Sequence, residues 1–375
     1  MSPANPLIIH VLPQLKPARC GVSDFALAIA RELEAGFAID SAFAVVNSSV
    51  QCDVPYPRVY RSQSDLLDTC ISLSDERPAT LLIHLSGYGY SRDGAPRELA
   101  EALSKARQSG QFRIAVYFHE LYATGMPWRS AFWYSRRQKS AVRKIAEGCD
   151  LLITNTERHA GWLERESVRR SKFPIQVLPV LSNVGESHVL TPIDRRRPSL
   201  AIFGLAATRR IAYQRLAALG GILSDLGIQE VLDIGPPFDA PAELNGVPVK
   251  RLGVLPAPEL AGLLSQTRFG FVQHPAFSFA KSGVFAGFCA HGTIPIVAEP
   301  FAGEVDGVKD GVHVISPRTA MGALAANLED CSIAAWQWYS KHRLRVHAET
   351  YARLLVGPST EDSATVNTVG SVARA

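Results

Sequence analysis

The sequence predicts an α/β protein built from two doubly wound, parallel-sheet domains. With 375 residues, the chain is longer than the length over which a single hydrophobic core keeps growing. Apolar runs rich in β-branched residues alternate with helix-period stretches along the whole chain, which is typical of parallel strands joined by crossover helices. A polar, proline-marked break at residues 191–198 separates two such series, so we expect a domain on each side of it.

The bulk composition is that of a folded globular protein. Hydrophobic residues make up 47% and charged residues 20%, and no segment has the apolar length needed to cross a bilayer. The first residues lack a basic start and Pro13 interrupts their apolar run, so we expect a cytoplasmic protein without a secretion signal. The six cysteines lack zinc-binding spacing, which favours reduced thiols and predicts no metal site. The formal net charge of +4 is modest, so we expect no nucleic-acid partner.

The first predicted domain covers residues 1–190. Its strands are near-continuous hydrophobic runs, as sheets buried on both faces require. Ser23 and Asp24 are good helix-start residues, and they open the first predicted helix. The predicted strands are Leu7–Leu12, Ile39–Val46, Thr80–Leu85, Arg113–Phe118, Leu151–Asn155 and Ile175–Val180, and the predicted helices include Ser23–Glu34 and Pro96–Ser109.

The second predicted domain covers residues 198–332 and repeats the pattern. A long helical stretch at 333–356 follows; it carries Trp336, Trp338 and Tyr339, and we expect it to cross back and pack on the first domain. Residues 357–375 lack periodicity and predict a disordered tail. The strands of this half are Ser199–Phe203, Glu230–Ile234, Val247–Leu252, Phe269–His274, Ile294–Val297 and Val312–Ile315, and its helices are Ala212–Leu226, Ala257–Ser265 and Ser282–His291.

Candidate ligand-binding residues follow the strands, because doubly wound sheets bind ligands beyond the carboxyl ends of their strands. In the first half Gly21 opens a helix and would let a backbone approach an anion, although a simple turn is the alternative. Polar and aromatic side chains that suit sugar recognition follow the third and fourth strands. A core histidine is the alternative for His119. These side chains are Tyr88, Tyr90, His119, Glu120, Trp128 and Arg129.

The second half carries two groups of residues suited to phosphate. Gly204, Arg209 and Arg210 lie between a strand and a helix, and guanidinium groups match phosphate oxygens with paired hydrogen bonds. Lys281, Ser282 and Gly283 open a later helix, where backbone amides favour anions. The alternatives are surface arginines and a solvated surface lysine.

Basic residues clearly outnumber acidic ones between Trp128 and Lys172. Such an excess is usually a set of solvated helix faces, and the alternative is a face that meets anionic lipid. The sequence therefore leaves open a peripheral position at the inner membrane face.

Several of these motifs resemble those of the GT-B glycosyltransferases of the retaining family-4-like group. The motif Gly21-Val-Ser-Asp24 looks like the first-domain glycine loop of that group, and Ala290-His-Gly-Thr-Ile-Pro-Ile-Val297 looks like its turn after the donor-binding helix. Further motifs, among them Asn183-Val-Gly-Glu186 and Lys281-Ser-Gly283, are similar to a bacterial subgroup of surface-polysaccharide clusters. The resemblance extends from Leu7 to about Leu355.

The resemblance implies a GT-B fold whose two domains face each other across a cleft. It implies transfer of a hexosyl group from a nucleotide sugar, which is the donor substrate, to a glycan or lipid-linked acceptor, with no cofactor and no metal. Catalytic roles fall to His119 and Glu120. Donor and phosphate binding fall to Gly21, Gly204, Arg209, Arg210, Lys281, Ser282 and Gly283, and sugar or acceptor binding to Val22, Asp24, Tyr88, Tyr90, Trp128 and Arg129.

One departure from the group concerns its paired glutamates, which precede the glycine turn. Phe279 and Gly287 occupy the matching positions here, and neither side chain accepts a hydrogen bond from a hydroxyl. This departure favours the first of two other interpretations, and the second rests on the shared fold alone. The first is a non-catalytic GT-B protein that binds a glycan or a partner transferase, and the second is a nucleotide-sugar epimerase.

Overall fold

The computed structural model describes residues 5–15, 21–46, 57–59, 66–123, 130–166, 174–320 and 328–356. The chain forms two compact units. We call Met1–Leu178 together with Leu344–Ala375 unit 1, and Pro179–Arg343 unit 2. Unit 1 is thus built from two separate stretches of chain, while unit 2 is continuous.

Unit 1 contains a parallel sheet with the strand order β3-β2-β1-β4-β5-β6-β7. The order reverses between β1 and β4, which is the topological switch point of a doubly wound sheet. All residues of β1 and β4 are buried, as helices on both faces require. The strands are β1 Leu7–Leu12, β2 Asp40–Val45, β3 Pro57–Val59, β4 Ala79–Leu85, β5 Phe112–Phe118, β6 Leu151–Thr154 and β7 Gln176–Val177.

The helices of unit 1 connect these strands. Ser23 Oγ donates to Gln14 O at 2.8 Å and holds the first turn of α1 near the segment that follows β1. Gly110, with φ +67°, ends α4 in the left-handed conformation typical of a helix C-terminus. The helices are α1 Gly21–Phe37, α2 Leu66–Ser74, α3 Gly87–Tyr90, α4 Arg97–Ser109, α5 Ser130–Glu147 and α6 Glu157–Glu166.

Unit 2 contains a second sheet with the order β10-β11-β9-β8-β12-β13, parallel except for the β10–β11 pair. Its order reverses between β8 and β12, so unit 2 has a switch point of its own. The strands are β8 Arg197–Phe203, β9 Glu230–Ile234, β10 Glu243–Leu244, β11 Val247–Gly253, β12 Thr267–Val272 and β13 Ile294–Val297, and the helices before residue 300 are α7 Ala206–Ala217, α8 Ile222–Asp225, α9 Ala257–Ser265 and α10 Gly283–Ala290. A small hairpin, Glu304–Val305 and Val308–Lys309, follows.

The two units confirm the predicted α/β class with two parallel sheets, but the boundary differs from the expected break at 191–198. The chain enters unit 2 at Pro179. Val180 N donates to Ala280 O at 2.8 Å, and Ser182 N donates to the hydroxyl of Tyr339 at 3.0 Å. Val184 packs in the core of unit 2. Residues 179–190 are therefore held by unit 2 and do not belong to the first domain.

The long helix expected at 333–356 is divided between the units. Helix Leu328–Ser340 belongs to unit 2, where Trp338 packs edge-on against Phe285 with ring centroids 5.1 Å apart. Its aromatic residues thus serve unit 2, which corrects the expectation that they pack on the first domain. Helix Leu344–Tyr351 and the π-helical turn Ala352–Val356 belong to unit 1. Of the predicted helix, only the part from Leu344 onward returns to unit 1. There Thr80 Oγ1 donates to Leu355 O at 2.9 Å.

Two further predictions differ from the structure. The predicted strand Val312–Ile315 makes only isolated bridges, such as Ile315 with Ile296. The predicted helix Ala212–Leu226 is interrupted at Gly220 and Gly221, between α7 and α8. Gly220 adopts φ +61°, a conformation that ends a helix readily.

Within the described ranges, no helix combines the length and the apolar character that a membrane span needs.

Candidate functional site

A small pocket lies at the switch point of unit 2. It opens where β8 and β12 end and where the first turns of α7 and α10 begin, the position at which doubly wound sheets bind ligands. Its walls combine apolar side chains with a few polar ones. The lining residues are Ile202, Phe203, Thr208, Arg209, Ala212, Phe271, Gln273, His274 and Val284.

The predicted phosphate residue Gly204 directly follows β8. It adopts φ +135°, which only glycine adopts readily. A Cβ placed on Gly235, which follows β9, would lie 2.2 Å from Gly204 O. The two glycines therefore let the ends of neighbouring strands approach closely beside the pocket.

Arg209 was predicted to present a free guanidinium to phosphate, and the structure corrects this. Its side chain is 1% exposed, and its Nη1 lies 2.5 Å from Oδ1 of Asp233, which is also buried. Nε donates to Gly204 O at 3.1 Å and Nη2 donates to Pro236 O. The guanidinium is thus committed to unit 2 itself, and its charge is balanced by Asp233.

Arg210 is the neighbour of Arg209 on α7, but it is exposed. Its Cζ lies 5.9 Å from the centroid of the Phe238 ring. Of the two arginines predicted to bind phosphate, Arg210 is the one whose charge faces solvent.

The predicted group Lys281, Ser282 and Gly283 leads into α10. Ser282 is buried, and its Oγ accepts a hydrogen bond from Phe285 N at 3.2 Å, so it caps the helix. A hydroxyl that accepts in this way still has its proton to donate. A Cβ placed on Gly283 would lie 3.6 Å from Oδ1 of Asn183, an ordinary contact. Asn183, which is exposed, therefore stands beside the first turn of α10.

The pocket also contains Gln273 and His274, which were not among the predicted site residues. The predicted strand ran to His274, but β12 ends at Val272, so both residues follow the strand. Burial lowers the pKa of His274 below 6.5, and the charges of Lys281 and Arg215 lower it further. His274 is therefore neutral at pH 7, and Lys281 lies close enough to influence it. The Gln-His-Pro motif at a strand end was the available signal.

The positions of the paired glutamates are apolar in this chain. Phe279 is 1% exposed and stacks on Phe285 with ring centroids 4.6 Å apart. A Cβ on Gly287 would lie 3.1 Å from Cζ of Phe203, which is tighter than ordinary contact. A carboxylate at either position would be buried among apolar groups without compensation. The core of unit 2 packs closely around Phe279 and Gly287 and leaves no place for a glutamate at either position.

The switch point of unit 1 lies between β1 and β4. A Cβ placed on Gly89 would lie 2.7 Å from Cγ of Pro13, so glycine is needed where the turn after β4 meets the segment after β1. The hydroxyl of Tyr90 lies 2.9 Å from Val11 O and 3.2 Å from His84 O. Tyr90 is buried and joins the two strands, which corrects its prediction as a sugar-binding side chain.

The other predicted contacts of unit 1 differ in exposure. Tyr88 is 51% exposed, and its hydroxyl accepts from Gln138 Nε2 at 3.1 Å. Gly21 is exposed, whereas Val22 and Asp24 are half-buried in the first turn of α1. A Cβ placed on Gly21 would meet no atom of the described residues within 4 Å. Trp128 and Arg129 lie outside the described residues.

The two predicted catalytic residues, His119 and Glu120, follow β5. Glu120 is exposed. His119 is 8% exposed, and its backbone is fixed: its N–H donates to Leu85 O at 3.0 Å, and its carbonyl accepts from Asn155 Nδ2 at 2.9 Å. Asn155, which was predicted as the last residue of a strand, directly follows β6 and holds His119 in place.

His119 belongs to a row of buried imidazoles. His84 Nδ1 lies 3.4 Å from His119 Nε2, and His84 Nε2 lies 3.1 Å from His10 Nδ1. We call His10, His84 and His119 the imidazole row. Burial lowers the pKa of His10 and of His119 to about 3, and it lowers that of His84 as well. All three rings are therefore neutral at pH 7.

No protein-family model matches the chain, and no curated protein matches it in sequence. Several solved glycosyltransferase structures do match. A sucrose-phosphate synthase from Thermosynechococcus elongatus is 12% identical, with 97% of this chain and 100% of that chain covered and a TM-score of 0.57. An α-glucosyltransferase in complex with UDP and a 13-mer DNA is 12% identical, with 96% and 99% covered and a TM-score of 0.57. A UDP-forming trehalose-phosphate synthase from Burkholderia xenovorans is 13% identical, with 94% and 99% covered and a TM-score of 0.53.

These similarities extend over almost the full length of both chains in each comparison. At such low identity they establish architecture rather than chemistry. The chain has the GT-B fold, with two parallel-sheet units of the doubly wound type.

We expect the stability of unit 1 to fall as the pH drops below about 6.5. The unfolded chain then binds protons that the buried imidazole row does not, because burial lowers the three pKa values. The free energy of unfolding keeps its full value above the pKa that histidine has in the unfolded chain. Below that pH, each buried ring lowers the free energy of unfolding by about 1.4 kcal/mol per pH unit. Urea denaturation at several pH values measures the slope. His10→Leu should reduce the slope by the contribution of one proton, about 1.4 kcal/mol per pH unit, whereas His188→Leu, at an exposed site, should leave it unchanged. Equal slopes for both variants would contradict the assignment.

Arg209→Ala is expected to lower the free energy of unfolding by about 3–5 kcal/mol, because it leaves Asp233 buried without its counter-ion. Arg210→Ala is the matched control, since the same side chain is removed at the next, exposed position. Its effect should stay within about 0.5 kcal/mol. Urea denaturation of both variants distinguishes the two roles, and similar losses would show that the assignment is wrong.

Proposed function

We propose that this chain is a hexosyltransferase that moves a sugar from a nucleotide-diphosphate sugar to a glycan or lipid-linked saccharide. In this proposal the reaction is retaining and metal-independent, as in the family-4-like group, and it serves surface-polysaccharide biosynthesis in the cytoplasm at the inner membrane face. The nucleotide sugar is a substrate, and no cofactor takes part.

The observation that carries the proposal is the pocket at the β8–β12 switch point of unit 2. It lies at the strand ends where doubly wound sheets bind nucleotides, and α10 begins beside it. Amide groups at a helix N-terminus favour phosphate. In this proposal the diphosphate portion of the donor lies at the mouth of this pocket, and the rest of the donor lies outside it.

The positive charge for this diphosphate comes from Arg210 and Lys281. Arg210 is exposed beside the pocket residue Arg209, and Lys281 influences the pocket residue His274. Both charges stabilise the leaving diphosphate together with the amides at Ser282 and Gly283. Arg209 contributes indirectly, by holding the strand end at Gly204.

The sugar-binding part of the proposal rests on unit 1. His119 and Glu120 follow β5, and the exposed Tyr88 follows β4 at the neighbouring strand end. A neutral imidazole and a carboxylate satisfy sugar hydroxyls, and an aromatic ring packs on an apolar sugar face. We assign His119 to orient the transferred sugar and Glu120 to the acceptor side. Gly21, Val22 and Asp24 complete the acceptor side in this assignment.

A lipid-linked acceptor would place the protein at an anionic membrane surface. On α5, Arg136, Arg137 and Lys144 are exposed, and Trp133 is 66% exposed. Basic and aromatic side chains on one helix suit a lipid headgroup region. Flotation with anionic vesicles should recover the protein, and Arg136→Ala/Arg137→Ala should reduce recovery. Equal recovery with zwitterionic vesicles would contradict recognition of anionic lipid, and no recovery with either kind of vesicle would overturn the membrane role.

The activity is tested with a panel of UDP-, GDP- and dTDP-sugars, combining calorimetry with assays of donor hydrolysis and sugar epimerisation. Donor binding with release of the nucleoside diphosphate supports the transferase. Conversion of the donor to its epimer would identify an epimerase, and glycan binding without nucleotide affinity would identify an adaptor. Either result would overturn the proposal. DNA binding at physiological salt would contradict the saccharide acceptor.

Lys281→Ala is expected to weaken donor binding by about 1–3 kcal/mol, because a charge-assisted hydrogen bond to phosphate is lost. Lys309→Ala is the control in the same unit, since this lysine is exposed and pairs with Glu304 at 3.1 Å. Calorimetric titration of both variants with the same donor gives the comparison. An unchanged dissociation constant for Lys281→Ala would remove Lys281 from the site.

A further inference from the structure

The imidazole row crosses three neighbouring strands of unit 1. His10 lies on β1 and His84 on the adjacent β4, and His119 directly follows β5, which pairs with β4. The His10 and His84 rings are nearly parallel, with centroids 5.3 Å apart, and the His84 and His119 centroids are 5.7 Å apart. The nitrogens that face each other are within hydrogen-bonding distance at both steps.

The surroundings of the row are largely aromatic. Phe43 stacks on His10 at 5.0 Å, and the ring of Phe25, on α1, meets His84 and His119 edge-on at 6.0 and 5.2 Å. The described residues bring together no group of three ligands suited to a metal ion. In such an environment a hydrogen bond between neutral rings gains strength, because little water competes for it.

Each neutral imidazole has one N–H and one bare nitrogen. If His10 Nδ1–H donates to His84 Nε2, then the proton of His84 is on Nδ1, and it donates to His119 Nε2. The proton of His119 is then on Nδ1. If both hydrogen bonds run in the opposite direction, all three protons are on Nε2. The two hydrogen bonds therefore force the three rings into the same tautomer.

We propose that His84, supported by His10, is a positioning residue that sets which nitrogen of His119 carries its proton. The inference rests on the proposed function, in which His119 orients the transferred sugar. The hydrogen bond from His84 to Nε2 of His119 leaves the proton of His119 on Nδ1, which is then a hydrogen-bond donor. The same bond prevents the His119 ring from turning. A donor at this nitrogen suits an oxygen acceptor of the sugar.

The direction of the two hydrogen bonds follows from the environment of His10, at the end of the imidazole row. Nε2 of His10 is buried and has no hydrogen-bond partner among the described residues. A buried N–H without an acceptor is rarer than a bare lone pair without a donor. The proton of His10 is therefore on Nδ1, and all three rings are in the Nδ1–H form.

The test is nitrogen NMR of the full chain labelled with ¹⁵N-histidine, at neutral pH. We expect His10, His84 and His119 each to show a protonated Nδ1 and a bare Nε2. Exposed histidines should instead show averaged nitrogen signals, because their ring protons exchange with solvent. A protonated Nε2 on His119, or different tautomers within the row, would overturn the proposal. This measurement needs neither a variant nor a substrate.

Two variants of His84 form a matched pair. The amide of Asn reaches the place of Nδ1, so His84→Asn keeps the bond to His119, whereas Gln reaches the place of Nε2, so His84→Gln keeps only the bond to His10. We expect the tautomer of His119 to persist in His84→Asn and to change in His84→Gln. The same His119 tautomer in two folded variants would contradict the role of His84.

Turnover provides an independent second comparison. With an active donor, kcat should fall on the order of tenfold in His84→Gln, with a smaller change in KM, and it should stay near the parent value in His84→Asn. Equal kcat losses in the two variants would indicate a merely structural role. If the parent protein transfers no sugar at all, the proposed function fails, while the NMR result still decides whether His84 sets the tautomer of His119.

Discussion

Burial of the central strands of both sheets on both faces is the constraint on which the rest of this structure depends. A strand covered on both sides has no water to satisfy a polar side chain, so polar groups within it must find partners in the protein. Two of the polar groups inside the sheets matter for the candidate sites. Asp233 on β9 is paired with Arg209, and His10 and His84 are hydrogen-bonded to each other. The other polar residues of the candidate sites lie beyond the strand ends.

This constraint also explains what the sequence predicts well. Near-continuous apolar runs mark strands such as Leu7–Leu12 and Glu230–Ile234, and both have the predicted bounds. The same signal misleads at Val312–Ile315, where Val314 and Ile315 are buried without joining a ladder. Hydrophobicity reports burial, and a strand additionally needs a neighbouring edge to pair with.

The candidate sites are harder to predict than the strands, because they depend on contacts between distant residues. Arg209 and Arg210 are equivalent in the sequence, but successive helical residues point about 100° apart, and only one of them reaches Asp233. The imidazole row depends on the register of neighbouring strands, which places His84 beside His10, 74 positions earlier in the sequence, and beside His119, 35 positions later. The Trp and Tyr residues of helix Leu328–Ser340 were assigned to the wrong unit for the same reason.

The split composition of unit 1 has a consequence for its synthesis. Unit 2 is one uninterrupted stretch, so all of it is synthesised before the closing segment of unit 1. That segment supplies Tyr351 and His347, both fully buried, and a backbone acceptor for Thr80. A chain truncated after residue 343 would thus retain all of unit 2, whereas unit 1 would expose the apolar surface that the closing segment covers and become a substrate for chaperones and proteases.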